Sequence, residues 1–313
     1  MSRFSPIGSF ATKRSCMSAV ALLAMTFAAS AQQSFNAPEA AAEALVKAVR
    51  GDDVKGARAL LGRGGDDILS SGDEIADAAL RKRFVAAYDA QHKVTTSGDK
   101  ATLIVGQEDF PFPIPLFRKG ERWQFDTAAG RQEILFRRIG RNELDAIQVC
   151  LAYVDAQNEY ADKDRTGSGR GVYAQRVVSR PGQKDGLYWA SSQGGDASPL
   201  GELAARAAAE GYLIDGGPAP FHGYYYKILT RQGPAAAGGT LNYVVGGKMI
   251  GGFALLAYPA EYGNSGVMTF MINHAGTVYQ KDLGLQTADR AKRIASFDPD
   301  SSWKKVSPAE QAP

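Results

Sequence analysis

Residues 143–161, "ELDAIQVCLAYVDAQNEYA", decide how this chain divides. Leu144, Ile147, Leu151 and Val154 recur at three- and four-residue steps, the period of one face of an α-helix. The stretch follows "RRIGRN" and forms a long helix, so it opens a second region at about residue 142. Cys150 sits beside the apolar stripe. A free cysteine there is expected to be a buried, inert thiol, because nothing nearby marks the electropositive setting that a reactive thiolate needs.

Before this helix the pattern is helices, then strands. "NAPEAAAEALVKAVRGDD" carries Asn36 and Glu39 at capping-box spacing with Pro38 in the first turn. "DDVKGARALLG" and "EIADAALRKRFVAAYDAQHKV" are two further helices, the last with Ile75, Ala79, Leu80, Phe84, Tyr88 and His92 on one broad face. Hairpin turns are expected at Ser97–Lys100 and at Lys119–Glu121. Pro111, Pro113 and Pro115 keep their segment out of the middle of any sheet. After the long helix come a short alanine-rich helix, "SPLGELAARAAAEGY", and a strand-rich run with turns at Gly246–Gly247 and Asn273–Gly276. The expected class is therefore α+β in two domains, each with helices on an antiparallel sheet. A domain over residues 36–141 precedes one over 142–285, followed by a polar tail over 286–313 that is expected to fray from Asp298.

The ends and totals bear on location and partners. Arg3, Lys13 and Arg14 precede an apolar run over residues 19–29, and Ala29-Ser30-Ala31 has the small-x-small form of a signal-peptidase site. Residues 1–31 thus read as a cleaved leader, with the mature protein periplasmic or secreted and without a transmembrane segment. The whole chain has 36 Lys+Arg and 33 Asp+Glu. The leader holds three of the basic residues and none of the acidic ones, so the mature chain is neutral, and nucleic-acid binding is excluded as a leading reading. Cys16 leaves with the leader, and Cys150 alone cannot form an internal disulfide.

Candidate chemistries were weighed against their residues. "YADKDRTGSGRG" has Asp162, Asp164, Thr166 and Gly167 where a calcium loop needs ligands and a turn, but position 12 is Tyr173 and no carboxylate lies between Asp164 and Asp185. Lys163, Arg165 and Arg170 add positive charge besides. A solvated loop is the expected reading. His92, His222 and His274 have no His-x-x-x-His or Cys-x-x-Cys spacing, so no transition-metal site is expected. His222 precedes "GYYYK" and is either a lining residue of a cleft with Tyr224 or Tyr226 or, the favoured reading, a satisfied histidine in a wall of aromatic core. No Gly-x-Ser-x-Gly elbow or phosphate loop occurs, so no catalytic residues and no cofactor are assigned.

Tyr224, Tyr225, Tyr226, Tyr243, Phe253, Tyr258, Tyr262, Phe270 and Tyr279 load the last strands. Alternation sends Tyr224 and Tyr226 to one face and Tyr225 to the other. One face covers the long helix. The second either meets a partner, an envelope protein or polysaccharide, or packs on the first domain. Two functions stay open: a non-catalytic binding or assembly factor, and a small-ligand carrier or enzyme whose first-domain cavity would be lined by Tyr88, Trp123 and Asp126.

Long segments, among them "GDDVKGARALLGRGGDDILSSGDE", "HGYYYKILTRQGPAAAGG" and "GGFALLAYPAEYGNSGVMTFMINHAGTVYQKDLG", together resemble the bacterial family called domain of unknown function 2950, from about Asn36 to about Leu285. That resemblance implies an exported bacterial protein and brings no established activity or site residues. More loosely, "ALVKAVRGDDVKGARALLG" with "GERWQFDT" is similar to the cystatin-like cone of the nuclear-transport-factor-2-like superfamily. The helix and strands after residue 142 are similar to the globular heads of pilins and pseudopilins, without the "GFTLIE"-type leader that pilus assembly uses.

Overall fold

The structure, a computed structural model, describes residues 32–62, 64–190, 196–212 and 219–307. The leader read over residues 1–31, with Cys16 and the site near Ala31, lies outside the described residues. Helices α1 (Pro38–Arg50), α2 (Val54–Leu61), the single turn α3 (Asp66–Leu69) and α4 (Glu74–Ala90) come first. Pro38 opens α1, where its missing N–H leaves no bond unmade. Asn36 does not cap this helix as its spacing suggests; Ala37 holds that position, and the Asn36 side chain accepts from Arg122. Asp53 and Asp73 do cap, accepting from the amides of Gly56 and Ala76 at 2.9 and 3.0 Å.

Strands β1 (His92–Ser97), β2 (Lys100–Val105), β3 (Phe110–Pro111), β4 (Leu116–Lys119) and β5 (Arg122–Phe125) make an antiparallel sheet in the order β1-β2-β4-β5, with β3 on the end of β2. Both expected hairpins are present, with Ser97 opposite Lys100 and Lys119 opposite Arg122. Leu45, Leu60 and Leu61 from the helices pack on Leu116, Trp123 and Phe125 from this sheet.

Helix α5 (Thr127–Ala161) is 35 residues long and begins well before the expected start near residue 142. It is continuous through positions 141 and 142, and residues from Gln32 onward form one compact unit. Gly130 lets the helix approach the proline-rich segment, since a Cβ there would stand 2.6 Å from both Ile114 Cα and the Pro113 carbonyl oxygen.

The remainder comprises α6 (Gly201–Glu210), β6 (Tyr224–Leu229), β7 (Arg231–Gln232), β8 (Leu241–Asn242), β9 (Val244–Val245), β10 (Lys248–Met249), β11 (Ala254–Pro259), β12 (Met268–Asn273), β13 (Tyr279–Asp282), α7 (Thr287–Arg293) and β14 (Lys304–Lys305). The main sheet runs β14-β13-β12-β11-β6, all antiparallel. The protein is α+β. On one face Tyr224 and Tyr226 join Cys150 of α5. On the other, Tyr225 and Tyr258 pair at 5.6 Å, and Lys227 Nζ donates to the carbonyls of Lys292 and Ile294 at the end of α7, at 2.8 and 2.7 Å. The chain's own C-terminal segment thus packs on part of this face, at Lys227, while Tyr225 and Tyr258 stay half-buried. Of the tail from Asp298, expected to fray, the described part holds a buried Val306 whose amide donates to Val278 at 2.9 Å; just before it, buried Phe297 packs edge-on to Tyr279. Apolar residues this sparse in a polar stretch carry no periodicity, which is why the tail reads as loose.

A buried polar seam joins α5 to its surroundings. Arg138 is 4% exposed. Its Nη1 donates to the Asp67 carbonyl at 2.6 Å and to the Asn264 side chain, and its Nη2 to the Ile68 carbonyl at 2.8 Å. Asn142 donates to the Ser265 carbonyl, and Glu143 accepts the amides of Val267 and Met268, all at 2.9 Å. Asp73, 2% exposed, accepts the Tyr212 hydroxyl at 2.8 Å and the Gly223 amide at 2.9 Å. Charges this deep persist only when their partners are supplied inside the protein.

Candidate functional site

The loop after α5 folds around an arginine. Asp164 turns its carboxylate onto its own backbone, accepting from the amides of Thr166 and Ser168 at 3.3 and 2.9 Å. Desolvation raises its pKa, but the backbone donors of Gly169, Thr166, Ser168 and Gly167 together outweigh it and hold the group below the ordinary 3.8. Arg165 is buried, with a side chain 2% exposed. Its guanidinium lies 5.3 Å from the ring centre of Tyr160 and 5.6 Å from that of Trp189. Its Nη1 donates to the carbonyls of Glu159 and Tyr160, and the carboxylates of Glu159 and Asp196 stand 3.7 Å away.

Beyond the loop the chain runs extended. Gln157 clamps it from α5, donating to the Ala174 carbonyl and accepting the Ala174 amide, both at 2.8 Å. The Tyr173 amide bonds the Met249 carbonyl, which seats this strand-like run against the β9–β10 hairpin. Gly246 and Gly247 turn that hairpin with φ of 58° and 77°, a left-handed pair that carries Lys248 over the loop. Farther on, residues 180–185 turn back, so that Val178 pairs with Tyr188 and Ser179 with Gly186.

These pieces enclose an open cleft of about 560 Å³, within the range of ligand sites. Its walls carry the hydroxyl groups of Thr166 and Ser168 and three cations, Arg176, Arg180 and Lys248. Asp185 is the carboxylate among its lining residues. One Asp185 oxygen lies 2.6 Å from Arg180 Nε and 3.6 Å from Arg176 Nε, and the other accepts the Arg180 amide at 2.9 Å. Burial alone would raise its pKa, but the bonds from Arg180 outweigh burial and hold it below 3.8. Asp185 thus stays ionised and positions the arginines, whose side chains remain 55% and 57% exposed. Three cations against one carboxylate leave positive charge facing the cleft. Guanidinium and ammonium donors beside hydroxyls suit a carboxylate, phosphate or sulfate.

The residues singled out from sequence fall elsewhere or change role. Thr166 lines the cleft, while Asp162 ends α5 and Asp164 serves the turn. Among the described residues no three His, Cys, Asp or Glu side chains gather into a metal-holding group. Cys150 is buried, and desolvation pushes its thiol up to about 12. His92 stacks on Tyr88 at 3.7 Å. His274 packs edge-on to Tyr243 and Phe253. His222 lines neither the cleft described here nor a neighbouring one; its Nε2 meets Glu210 at 2.6 Å and its Nδ1 lies 3.1 Å from Asp145. Tyr88, Trp123 and Asp126 do not converge: the two aromatics sit in separate core clusters, and Asp126 caps α5 by accepting from the Ala129 amide.

Arg176, Arg180 and Lys248 were not anticipated. Their one sequence signal is the basic spacing in "QRVVSRPGQKD", a loop segment that reads as solvated surface until the fold brings Lys248 beside it.

Comparison with known families matches residues 32–306 to the family described as protein of unknown function (DUF2950). The chain belongs to that family. No curated protein and no solved structure gives a significant match. Every described residue of the cationic cleft lies inside the matched span of this DUF2950 member. Among the described residues no helix is long and apolar enough to cross a membrane.

Proposed function

We propose that this DUF2950 protein is an exported, non-catalytic binding or assembly factor of the bacterial envelope, and that the group it binds is anionic. The observation that carries the reading is the cleft in which Arg176, Arg180 and Lys248 face one carboxylate, Asp185. Export is supported by the leader pattern of residues 1–31 and by a family match that starts at residue 32, just past Ala31. A binding role is supported by the state of the obvious nucleophile: Cys150 is sealed from solvent and holds its proton.

The test is a thermal-shift series on the protein purified from cells expressing the full chain, at fixed ionic strength, with acidic and neutral saccharides, inorganic phosphate, calcium and chelator. A ligand that binds only the native state stabilises it by mass action, by about 2.7 kcal/mol at a hundredfold excess over Kd, and so raises the melting point. Acidic compounds should raise it and their neutral counterparts should not. A shift with calcium that chelator abolishes, or with neutral compounds alone, would contradict the reading. Fractionation supplies the location: the protein should appear outside the cytoplasm with Gln32 as its first residue, and an uncleaved cytoplasmic product would overturn export.

A further inference from the structure

A second open cleft, of about 620 Å³, lies on the other side of the 180–185 turn. Its walls differ in chemistry. Pro181, Tyr188, Trp189, Ala190, Ala208 and Tyr212 give it apolar and aromatic surface, and Ser179 and Gln183 add hydrogen-bonding edges. Arg180 lines both clefts. The wall between them is held firmly: the Tyr160 hydroxyl of the cationic side donates to the Lys184 carbonyl at 2.6 Å, and buried Arg165 packs against both Tyr160 and Trp189. Tyr212 is fixed in turn by its bond to Asp73. Each cleft alone falls in the volume range of a small-molecule site, so the joined pair suits a ligand of more than one unit.

We propose that the two clefts form one extended site for an acidic oligosaccharide, a deepening that rests on the anionic-ligand reading above. A sugar ring presents C–H faces and hydroxyl edges, which match the aromatic and polar walls beside Tyr188 and Tyr212. The carboxylate of the adjoining sugar unit enters the cationic cleft, where Arg176 and Lys248 meet it and Arg180 spans the junction. Charge complementarity with three cations selects an acidic chain over a neutral one.

Calorimetric titration of the purified protein tests this with three probes: a short oligogalacturonate, its methyl ester and inorganic phosphate. Oligogalacturonate should bind more tightly than either phosphate or the ester. Tyr188→Ala should weaken oligogalacturonate about threefold to tenfold, the worth of one aromatic contact, and leave phosphate unchanged. Tyr188→Leu, which keeps bulk without a ring face, should do the same and guards against a folding defect. If the oligomer binds no better than phosphate and both Tyr188 variants are silent, the extended site is wrong while the anion cleft stands. If none of the acidic probes binds, both readings fall.

Discussion

Arg138 and Arg176 carry the same charge in opposite circumstances. Arg138 is 4% exposed, and its donors end on the carbonyls of Asp67 and Ile68 and on Asn264. Arg176 is 55% exposed in its side chain and shares Asp185 with Arg180 at 3.6 Å. Burial pulls the pKa of Arg138 below that of an ordinary arginine, with Asp77, Asp67 and Glu261 opposing that loss. A charge that has surrendered its water and bonds to acceptors inside the protein is committed to the fold. One that keeps its water and outnumbers its counter-charges is available to a ligand. The seam and the cleft differ in this respect above all, and substitutions can separate them.

Arg138→Met should have the largest effect, a loss of about 3–5 kcal/mol in urea unfolding, because it strands buried acceptors. A loss below about 1 kcal/mol would mean the seam is not what joins α5 to its surroundings. Asp73→Ala comes next, at about 2–3 kcal/mol, since it removes the α4 cap and the acceptor of Tyr212 and Gly223 together.

His222 gives a smaller, pH-dependent effect. Although burial disfavours its charged form, Asp145 and Glu210 raise its pKa above the ordinary 6.5. The folded ring therefore holds its proton more tightly than the unfolded chain does. Its stabilisation is full below 6.5 and is lost as pH rises through the raised folded value. The melting point should fall over that interval. The fall should be shallower in His222→Asn, a replacement that tolerates the left-handed φ of 49° at this position. An equal slope in both proteins would remove His222 from the explanation. Smallest of all, Arg176→Gln with Lys248→Gln should change stability by no more than about 0.5 kcal/mol, as exposed charges do.

The two regions also differ in how far the sequence foretells them. Turns were legible at Ser97–Lys100, Lys119–Glu121 and Gly246–Gly247, because glycine chemistry and alternation are local signals. The first half of α5 was not. The expected helix began only near residue 142, and Arg138 and Asn142 are polar where a periodic pattern wants apolar residues. Gly130 is explained by its contact with the Pro113–Ile114 backbone, Arg138 by carbonyls about seventy residues away, and no sequence window contains either partner. The cleft was opaque for a related reason. Arg176 and Arg180 look like ordinary surface, and Lys248 reaches them through pairing of Tyr173 with Met249. At the loop of Asp164 the sequence offered the turn residues, but not the buried Arg165 side chain at its centre.

The most direct measurement is calorimetric titration of inorganic phosphate into the wild-type protein and the Arg176→Gln/Lys248→Gln variant, with melting points recorded on the same samples. The wild type should bind, and the variant should bind about tenfold or more weakly at an unchanged melting point, as expected when charge-assisted bonds are lost without cost to the fold. Equal affinity in the two proteins, or no binding by the wild type, would contradict a functional role for the cationic cleft.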